Sequence, residues 1–285
     1  MKFGEFAYCA PDSIGRCLEQ LAQDDAVVLA GGQSLLPLMA LRLAEPTLLV
    51  DIGAVPELRE VVADPEQGSL RVGATVTQAE LEDRPDLGEL NPVLASALPF
   101  IGHRAIRNRG TVGGSVAHAD PAAEWPALCV ALDAEIELRG PGGARQLPAG
   151  DFFEGSFRTA RSDDELVTHV RLPLLRSNQH GMVREAARRH GDFATVGCVV
   201  VLTADGQALE QAAVALFGGV SRPTRLADLE AALPGAAPDG WGGLVRDAVA
   251  GVRFQDDVHA SGELRRHVAV NLVTEALRSA WEELR

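Results

Sequence analysis

The chain has 285 residues, 46% of them hydrophobic and 23% charged, a size and mixture that suit one large or two ordinary globular domains and exclude collagen-like, disordered and small disulfide-stapled proteins. Forty acidic residues against 26 Lys and Arg give a formal net charge of -14, which repels nucleic acid and anionic lipid, so neither is expected as a partner. No stretch approaches the roughly 20 uninterrupted apolar residues of a membrane-spanning helix.

The start, Met1 to Phe6, lacks the apolar segment of a secretory signal, so the cytoplasm is the expected compartment. Pro11, Asp12 and Ser13 open a helix that carries Ile14, Cys17, Leu18 and Leu21 at helical spacing. Ala26 to Ala30 reads as a short strand ending at Gly31-Gly32, Ser34 to Leu43 as a helix closed by Pro46, and Leu48 to Ile52 as a second buried strand. Strands alternating with helices predict a small parallel sheet.

A different texture begins near residue 55. Strand candidates are Leu70 to Val76, Ala134 to Arg139 and Glu165 to Leu172, with a capping box at Thr77-Gln78-Ala79-Glu80 and a turn at Pro141-Gly142-Gly143. Beyond a boundary near residue 175, Gly181 to Arg189, Ala194 to Thr203 and Gln211 to Phe217 predict three antiparallel strands, followed by helices. The last helix, behind a Ser261 cap, carries Leu264, Val268, Leu272, Ala276, Ala280 and Leu284 every four residues, and Leu233 to Gly243 reads as a loop.

Four cysteines, Cys9, Cys17, Cys129 and Cys198, form no Cys-x-x-Cys pair, and the seven histidines show no metal spacing. No metal is assigned to this chain. The informative feature is a pair of glycine segments, Ala30-Gly31-Gly32-Gln33-Ser34-Leu35 and Gly110-Thr111-Val112-Gly113-Gly114-Ser115. Glycine lets backbone approach a ligand closely, and amide hydrogens in such turns, with Ser and Thr hydroxyls, converge on an anion such as a diphosphate. Neither segment contains Lys or Arg, so neutralisation is expected mainly from backbone dipoles, with Arg107 and Arg109 as nearby help. Neither matches Gly-x-Gly-x-x-Gly or a phosphate loop, which argues against a Rossmann dehydrogenase and an ATPase.

These residues, Ala30 to Leu43 with Leu49-Val50-Asp51-Ile52, and Ile106 to Glu124 with its His118-Ala119-Asp120-Pro121 run, closely resemble the FAD-binding medium subunit of molybdenum hydroxylases, the xanthine dehydrogenase and carbon monoxide dehydrogenase family. Arg188-Arg189-His190-Gly191-Asp192-Phe193-Ala194 and Leu216-Phe217-Gly218-Gly219-Val220 extend the resemblance through nearly the whole chain. It implies an α+β fold: an FAD-binding domain over 1–175 with subdomains of about 1–54 and 55–175, one with a small parallel sheet and one mostly antiparallel, then a C-terminal domain over 176–285 with a three-stranded antiparallel sheet and helices.

By this resemblance, Ala30, Gly31, Gly32, Gln33, Ser34 and Leu35, with Thr111, Val112, Gly113, Gly114 and Ser115, embrace the FAD diphosphate and ribityl chain. Glu124 matches an acidic position that contacts the flavin nucleotide, and Ile101 and Val167 match apolar positions along the flavin ring. Arg184 lies where xanthine-dehydrogenase-type relatives carry a lysine near the flavin, and Asp192 and Phe193 fall in a loop that approaches the isoalloxazine. His118 and Asp120 shape the turn and cap the helix, with Asp120 counted among the cofactor-binding residues. The implied activity is electron transfer: [2Fe-2S] clusters of a small subunit pass electrons from a molybdopterin-binding large subunit to FAD, which delivers them to NAD, a quinone or oxygen. The implied assembly is a dimer of heterotrimers. Two rival readings are a non-catalytic assembly or FAD-binding module of the same fold, and a serine hydrolase elbow at Gly113-Gly114-Ser115-Val116-Ala117, which lacks the second flanking glycine at Ala117.

Overall fold

A computed structural model describes residues 3–285. The first layer holds β1 (Ala7–Cys9), α1 (Ile14–Leu21), β2 (Ala26–Leu29), α2 (Leu35–Ala40) and β3 (Leu48–Asp51). Both β1 and β2 run parallel to β3, giving the order β1-β3-β2. Central β3 is an unbroken apolar run because both its faces are covered: Leu48, Leu49 and Val50 are all buried. Ser13 caps α1 by accepting from the Arg16 amide, and Cys17 and Leu21 turn inward. β1 was not expected, since three residues at a sheet edge leave no periodic signal. α2 is shorter than the expected helix and stops at Ala40.

The second layer runs through β4 (Val61–Asp64), β5 (Ser69–Gly73), α3 (Gln78–Glu82), α4 (Leu87–Leu90), α5 (Pro92–Ala97), α6 (Arg104–Arg107), α7 (Val112–His118), α8 (Glu124–Ala131), β6 (Glu135–Gly140), β7 (Gly143–Pro148), α9 (Ala149–Phe152), β8 (Phe153–Gly155), β9 (Arg158–Thr159) and β10 (Leu166–Pro173). Five of its strands form an antiparallel sheet in the order β4-β5-β10-β6-β7. The two edges, β4 and β7, are too polar or exposed to have stood out in the sequence. Thr77 and Glu80 form the expected reciprocal cap on α3. Every residue of α8 is buried, including Trp125 and Glu124, because this helix is sandwiched between the sheet helices and the strands that follow.

The third layer is a sheet of β11 (Gln179–Ala186), β12 (Val196–Asp205), β13 (Ala208–Phe217) and β14 (Thr224–Arg225), with α10 (Ala227–Ala232), α11 (Trp241–Ala250) and α12 (Gly262–Glu283) on one side. The sheet has four strands rather than three, the added strand being only two residues long. Alternation along the strands separates two cores. Val183, Val199, Val201 and Phe217 belong to the large core of the second layer, whereas Cys198, Val200, Leu202 and Leu216 pack with Trp241, Trp281 and α12. The buried stripe of α12 is Ala269, Val273, Ala276, Leu277 and Ala280. Leu264, placed inside by the four-residue spacing, is half exposed, because a 4.0-residue repeat drifts around a helix of 3.6 residues per turn. The stretch expected as a loop, Leu233 to Gly243, is two short 3-10 turns leading into α11.

Candidate cofactor-binding site

A cleft of about 1490 Å³ opens between the first layer, the second layer and the connection from β11 to β12. The end of β2 supplies its floor. Leu29 is the last residue paired with β3, and the first helical hydrogen bond of α2 runs from the Leu36 amide to the Gly32 carbonyl at 3.2 Å. Among the described residues, the amides of Gly31, Gly32, Gln33, Ser34 and Leu35 in between find no acceptor, and all five residues line the cleft. Gly32 takes the left-handed conformation that turns the chain here, with φ +70. Gln33 braces the turn by donating from Nε2 to the Gly31 carbonyl at 3.2 Å. Five unpaired amide donors in an uncharged loop suit an anion.

The second glycine segment works differently from the first, which corrects the expectation that both supply amides. It is the first turn of α7, with Thr111 as its cap. Four of its amides are engaged: Val112 donates to the Val76 carbonyl at 3.0 Å, Gly113 to Ala74 at 3.1 Å, Gly114 to Thr111 Oγ1 at 3.0 Å and Ser115 to the Thr111 carbonyl at 3.1 Å, while the Thr111 amide finds no acceptor among the described residues. The glycines serve close approach instead. A Cβ on Gly113 would overlap Ala74, and one on Gly114 would lie 2.7 Å from Thr111 Oγ1 and 3.6 Å from the Ala30 side chain. Thr111, Gly113, Gly114 and Ser115 line the cleft. Val112, fully buried, packs into the core instead.

Ala30, Ile101, Asp120, Glu124, Val167, Asp192 and Phe193 also line the cleft, and Phe193 at its mouth is 67% exposed. Arg184 does not. On β11, Gly181, Val183 and Glu185 share the side that faces the large core, so Arg184 falls on the opposite side, where its Nη2 donates to Ser279 Oγ at 3.3 Å. Arg107 is likewise withdrawn: its guanidinium holds both oxygens of Glu82 and donates to the carbonyls of Ile101 at 3.1 Å and Gly102 at 2.8 Å. It shapes the wall of the cleft, with four of its five N–H donors already engaged. Arg109 is exposed outside the lining, and only its backbone meets the first glycine segment.

The sequence reading missed three groups. Gln78, the first residue of α3, lines the cleft beside Gly110, 4% exposed and with an unpartnered Oε1. Arg265 on α12 lines it as well, held by the Thr195 carbonyl at 2.9 Å and by Asp257. Neither carries a local signal, because each reaches the site only through tertiary packing. The third is Glu185, which is outside the cleft lining and whose Oε2 is buried without a partner.

Acidic side chains dominate the electrostatics. Glu124 is 5% exposed at the start of α8. The helix N-terminus favours its ionised form by about 0.3–1 kcal/mol, but burial outweighs this and, with the charges of Glu185 and Asp120, pushes the carboxyl up to about 8. Burial also raises Glu185 to about 7. The half-buried His118 ring is held below the usual histidine range by burial, against the pull of Asp120.

A cleft this large, floored by unpaired amides on an α+β scaffold, fits a dinucleotide-binding protein. Residues 4–175 match the FAD binding domain in molybdopterin dehydrogenase, and residues 182–280 match the CO dehydrogenase flavoprotein C-terminal domain. The chain belongs to the FAD-binding medium subunits of molybdenum hydroxylases, a family of oxidoreductase components. It is 35% identical to the carbon monoxide dehydrogenase medium chain of Hydrogenophaga pseudoflava over 97% of each chain. Against the nicotine 6-hydroxylase medium subunit of Paenarthrobacter nicotinovorans it is 35% identical over 98% of this chain and 99% of that one. The solved H. pseudoflava carbon monoxide dehydrogenase superposes with a TM-score of 0.95 at 34% identity, covering 99% of both chains. Quinoline 2-oxidoreductase from Pseudomonas putida 86 gives 0.94 at 35% identity, covering 100% of this chain and 99% of that one. No described helix is long and apolar enough to cross a membrane.

Proposed function

We propose that this chain is the FAD-carrying electron-transfer subunit of a molybdenum hydroxylase, taking electrons from [2Fe-2S] clusters of a small subunit, themselves fed by a molybdopterin-binding large subunit, and passing them to NAD, a quinone or oxygen. The observation that carries this reading is the row of five unpaired amides from Gly31 to Leu35 at the floor of the cleft. The described residues fit FAD: these donors suit its diphosphate, and the bare backbones of Gly31 and Gly113 occupy positions where a Cβ would overlap the facing chain and spread the cleft.

FAD, when bound, supplies redox chemistry that accepts two electrons and releases them singly or as a pair. The protein's part is to hold and shield it. The Gly31–Leu35 amides would take the diphosphate oxygens, with the Ser34, Thr111 and Ser115 hydroxyls adding donors along the connecting chain. Ile101 and Val167 would form an apolar seat for the ring system, with Phe193 at its open edge. Arg107 keeps the Ile101–Gly102 wall in place from behind. Asp120 closes a local turn through the Ala122 amide at 2.9 Å and so presents the start of α8 to the cleft. The assembly proposed is a dimer of heterotrimers with the large and small subunits.

Visible absorption tests this directly. The purified chain should carry or take up FAD, and in the reassembled complex that absorption should bleach when the large subunit is given an oxidisable substrate that supplies electrons, and recover on adding the acceptor. A colourless chain that takes up no FAD would overturn it.

A further inference from the structure

We propose that Gln78 is a further cofactor-recognition residue, whose side-chain carboxamide reads a sugar hydroxyl of the bound dinucleotide next to the diphosphate. This rests on the cleft being the FAD site.

The backbone fixes where Gln78 stands. It is the first residue of α3, behind the Thr77 cap, and its amide donates to the Gly110 carbonyl at 2.9 Å. Thr77 and Thr111 pair as an isolated antiparallel bridge, so the start of α3 is fastened to the start of the second glycine segment. The side chain lies along Gly110: a Cβ built on that glycine would stand 3.4 Å from Gln78 Oε1. Gly31 meets the same glycine, its own Cβ position falling 2.9 Å from the Gly110 Cα. Gln78 is therefore placed where the two glycine segments touch, beside the start of the row of free amides from Gly31 to Leu35.

Its carboxamide is unpaired there. Gln78 is 4% exposed and lines the cleft, yet Oε1 is buried without a partner. Buried polar atoms are nearly always hydrogen-bonded, and an apolar side chain of similar shape would fill this wall at less cost to the fold. Three neighbouring donors are already taken. The Gly110 amide goes to the Ile106 carbonyl at 2.7 Å, the Val112 amide to the Val76 carbonyl at 3.0 Å and the Thr77 hydroxyl to Glu80 at 2.8 Å. The chain thus leaves an acceptor at the cleft wall for a ligand to satisfy.

The chemistry of the ligand group follows from what Oε1 can meet. It needs a donor, and ionised diphosphate oxygens are acceptors only. A hydroxyl both donates and accepts, so it can serve Oε1 and take a hydrogen bond from an amide at the same time. In FAD the hydroxyls flank the diphosphate, on the ribityl chain to one side and on the ribose to the other. The purine amine and the flavin ring N–H lie at the two far ends. A side chain beside the diphosphate amides meets the sugar portion. Being neutral, it adds no charge next to an anion in a molecule that already carries -14.

The test is a cycle of FAD analogues against variants of the flavin-free full chain, with affinity read by quenching of flavin fluorescence. Each analogue lacks a single hydroxyl, either from the ribityl chain or from the ribose. Gln78→Met, close in volume and without polar atoms, should weaken FAD binding about tenfold, and wild type should lose about the same factor with one of the analogues. Variant and that analogue together should still lose about tenfold and not roughly a hundredfold, because both changes remove one shared hydrogen bond. Which analogue shows this non-additivity tells ribityl from ribose. Equal Gln78→Met factors for FAD and every analogue overturn the proposal, as does wild-type affinity in Gln78→Met. A wild-type chain that takes up no FAD overturns the functional reading beneath it instead. Thermal melting gives a readout free of ligand: flavin-free Gln78→Met should melt no lower than wild type, since what it loses is an unpaired oxygen. A clear drop assigns the carboxamide to the fold and overturns the proposal.

Discussion

Gly31 rests against the backbone of Arg109, so closely that a Cβ on the glycine would overlap the Arg109 carbonyl oxygen. The two glycine segments, nearly 80 residues apart in sequence, therefore touch, and the cleft opens from their line of contact. Gly31 is not in a left-handed conformation, so its role is closeness and not backbone freedom. Gly31→Ala should lower thermal stability by about 1–3 kcal/mol, the usual cost of overpacking, and should leave a folded protein with little or no FAD. Circular dichroism melts and the flavin-to-protein absorbance ratio check both. Full flavin content would show that the contact does not set the width of the cleft.

Thr111 caps α7 through Gly114 and lines the same cleft. Thr111→Ala should cost about 1 kcal/mol of stability in urea denaturation, the ordinary value of a lost N-cap, and weaken FAD binding by displacing the start of the helix. Thr111→Ser, which keeps the hydroxyl, should restore most of both.

Arg107 joins Glu82 to the carbonyls of Ile101 and Gly102. Arg107→Met leaves Glu82 still paired with Arg104, so the expected loss is about 2 kcal/mol, below the roughly 3–5 kcal/mol of a buried pair left wholly uncompensated. Arg107→Lys should rescue little, because one ammonium cannot replace a planar fork that meets a carboxylate and two carbonyls together. Urea denaturation monitored by Trp fluorescence measures both variants.

Glu124 and Glu185 also predict how the flavin-free chain responds to pH. Their folded values, about 8 and about 7, lie above the ordinary 4.5. The folded state thus holds protons that the unfolded chain has released, and stability falls as pH rises through that window, levelling above about 8. His118 and His169 act oppositely: held low in the fold, they make stability rise with pH up to the ordinary histidine value near 6.5. The two effects overlap below pH 7, so the decline should be clean between pH 7 and 8. Denaturation midpoints in that interval should drop for wild type and drop clearly less for Glu124→Gln, where only Glu185 still loses its proton.

Local patterns carried much of the architecture. The Thr77–Glu80 box, the Ser13 and Ser261 caps and the apolar runs of β3, β10 and β12 are each written in a few adjacent residues, and each formed because its stabilising contacts are short-range or period-2. Exposed edge strands β4, β7 and β14 and the true buried stripe of α12 were not legible. Edges need not be apolar, and a four-residue spacing slowly leaves a helix face.

The sequence alone determined that two lysine-free glycine segments exist, each with at least one hydroxyl residue and set in an acidic chain, because composition and adjacency are properties of the chain itself. The tertiary structure decided which segment keeps its amides free and which has them engaged by Val76, Ala74 and Thr111. It also decided that Arg184 turns away from the cleft to meet Ser279 on α12. Both outcomes turn on which distant backbone or strand face lies opposite a given residue, and that is fixed only when the layers pack.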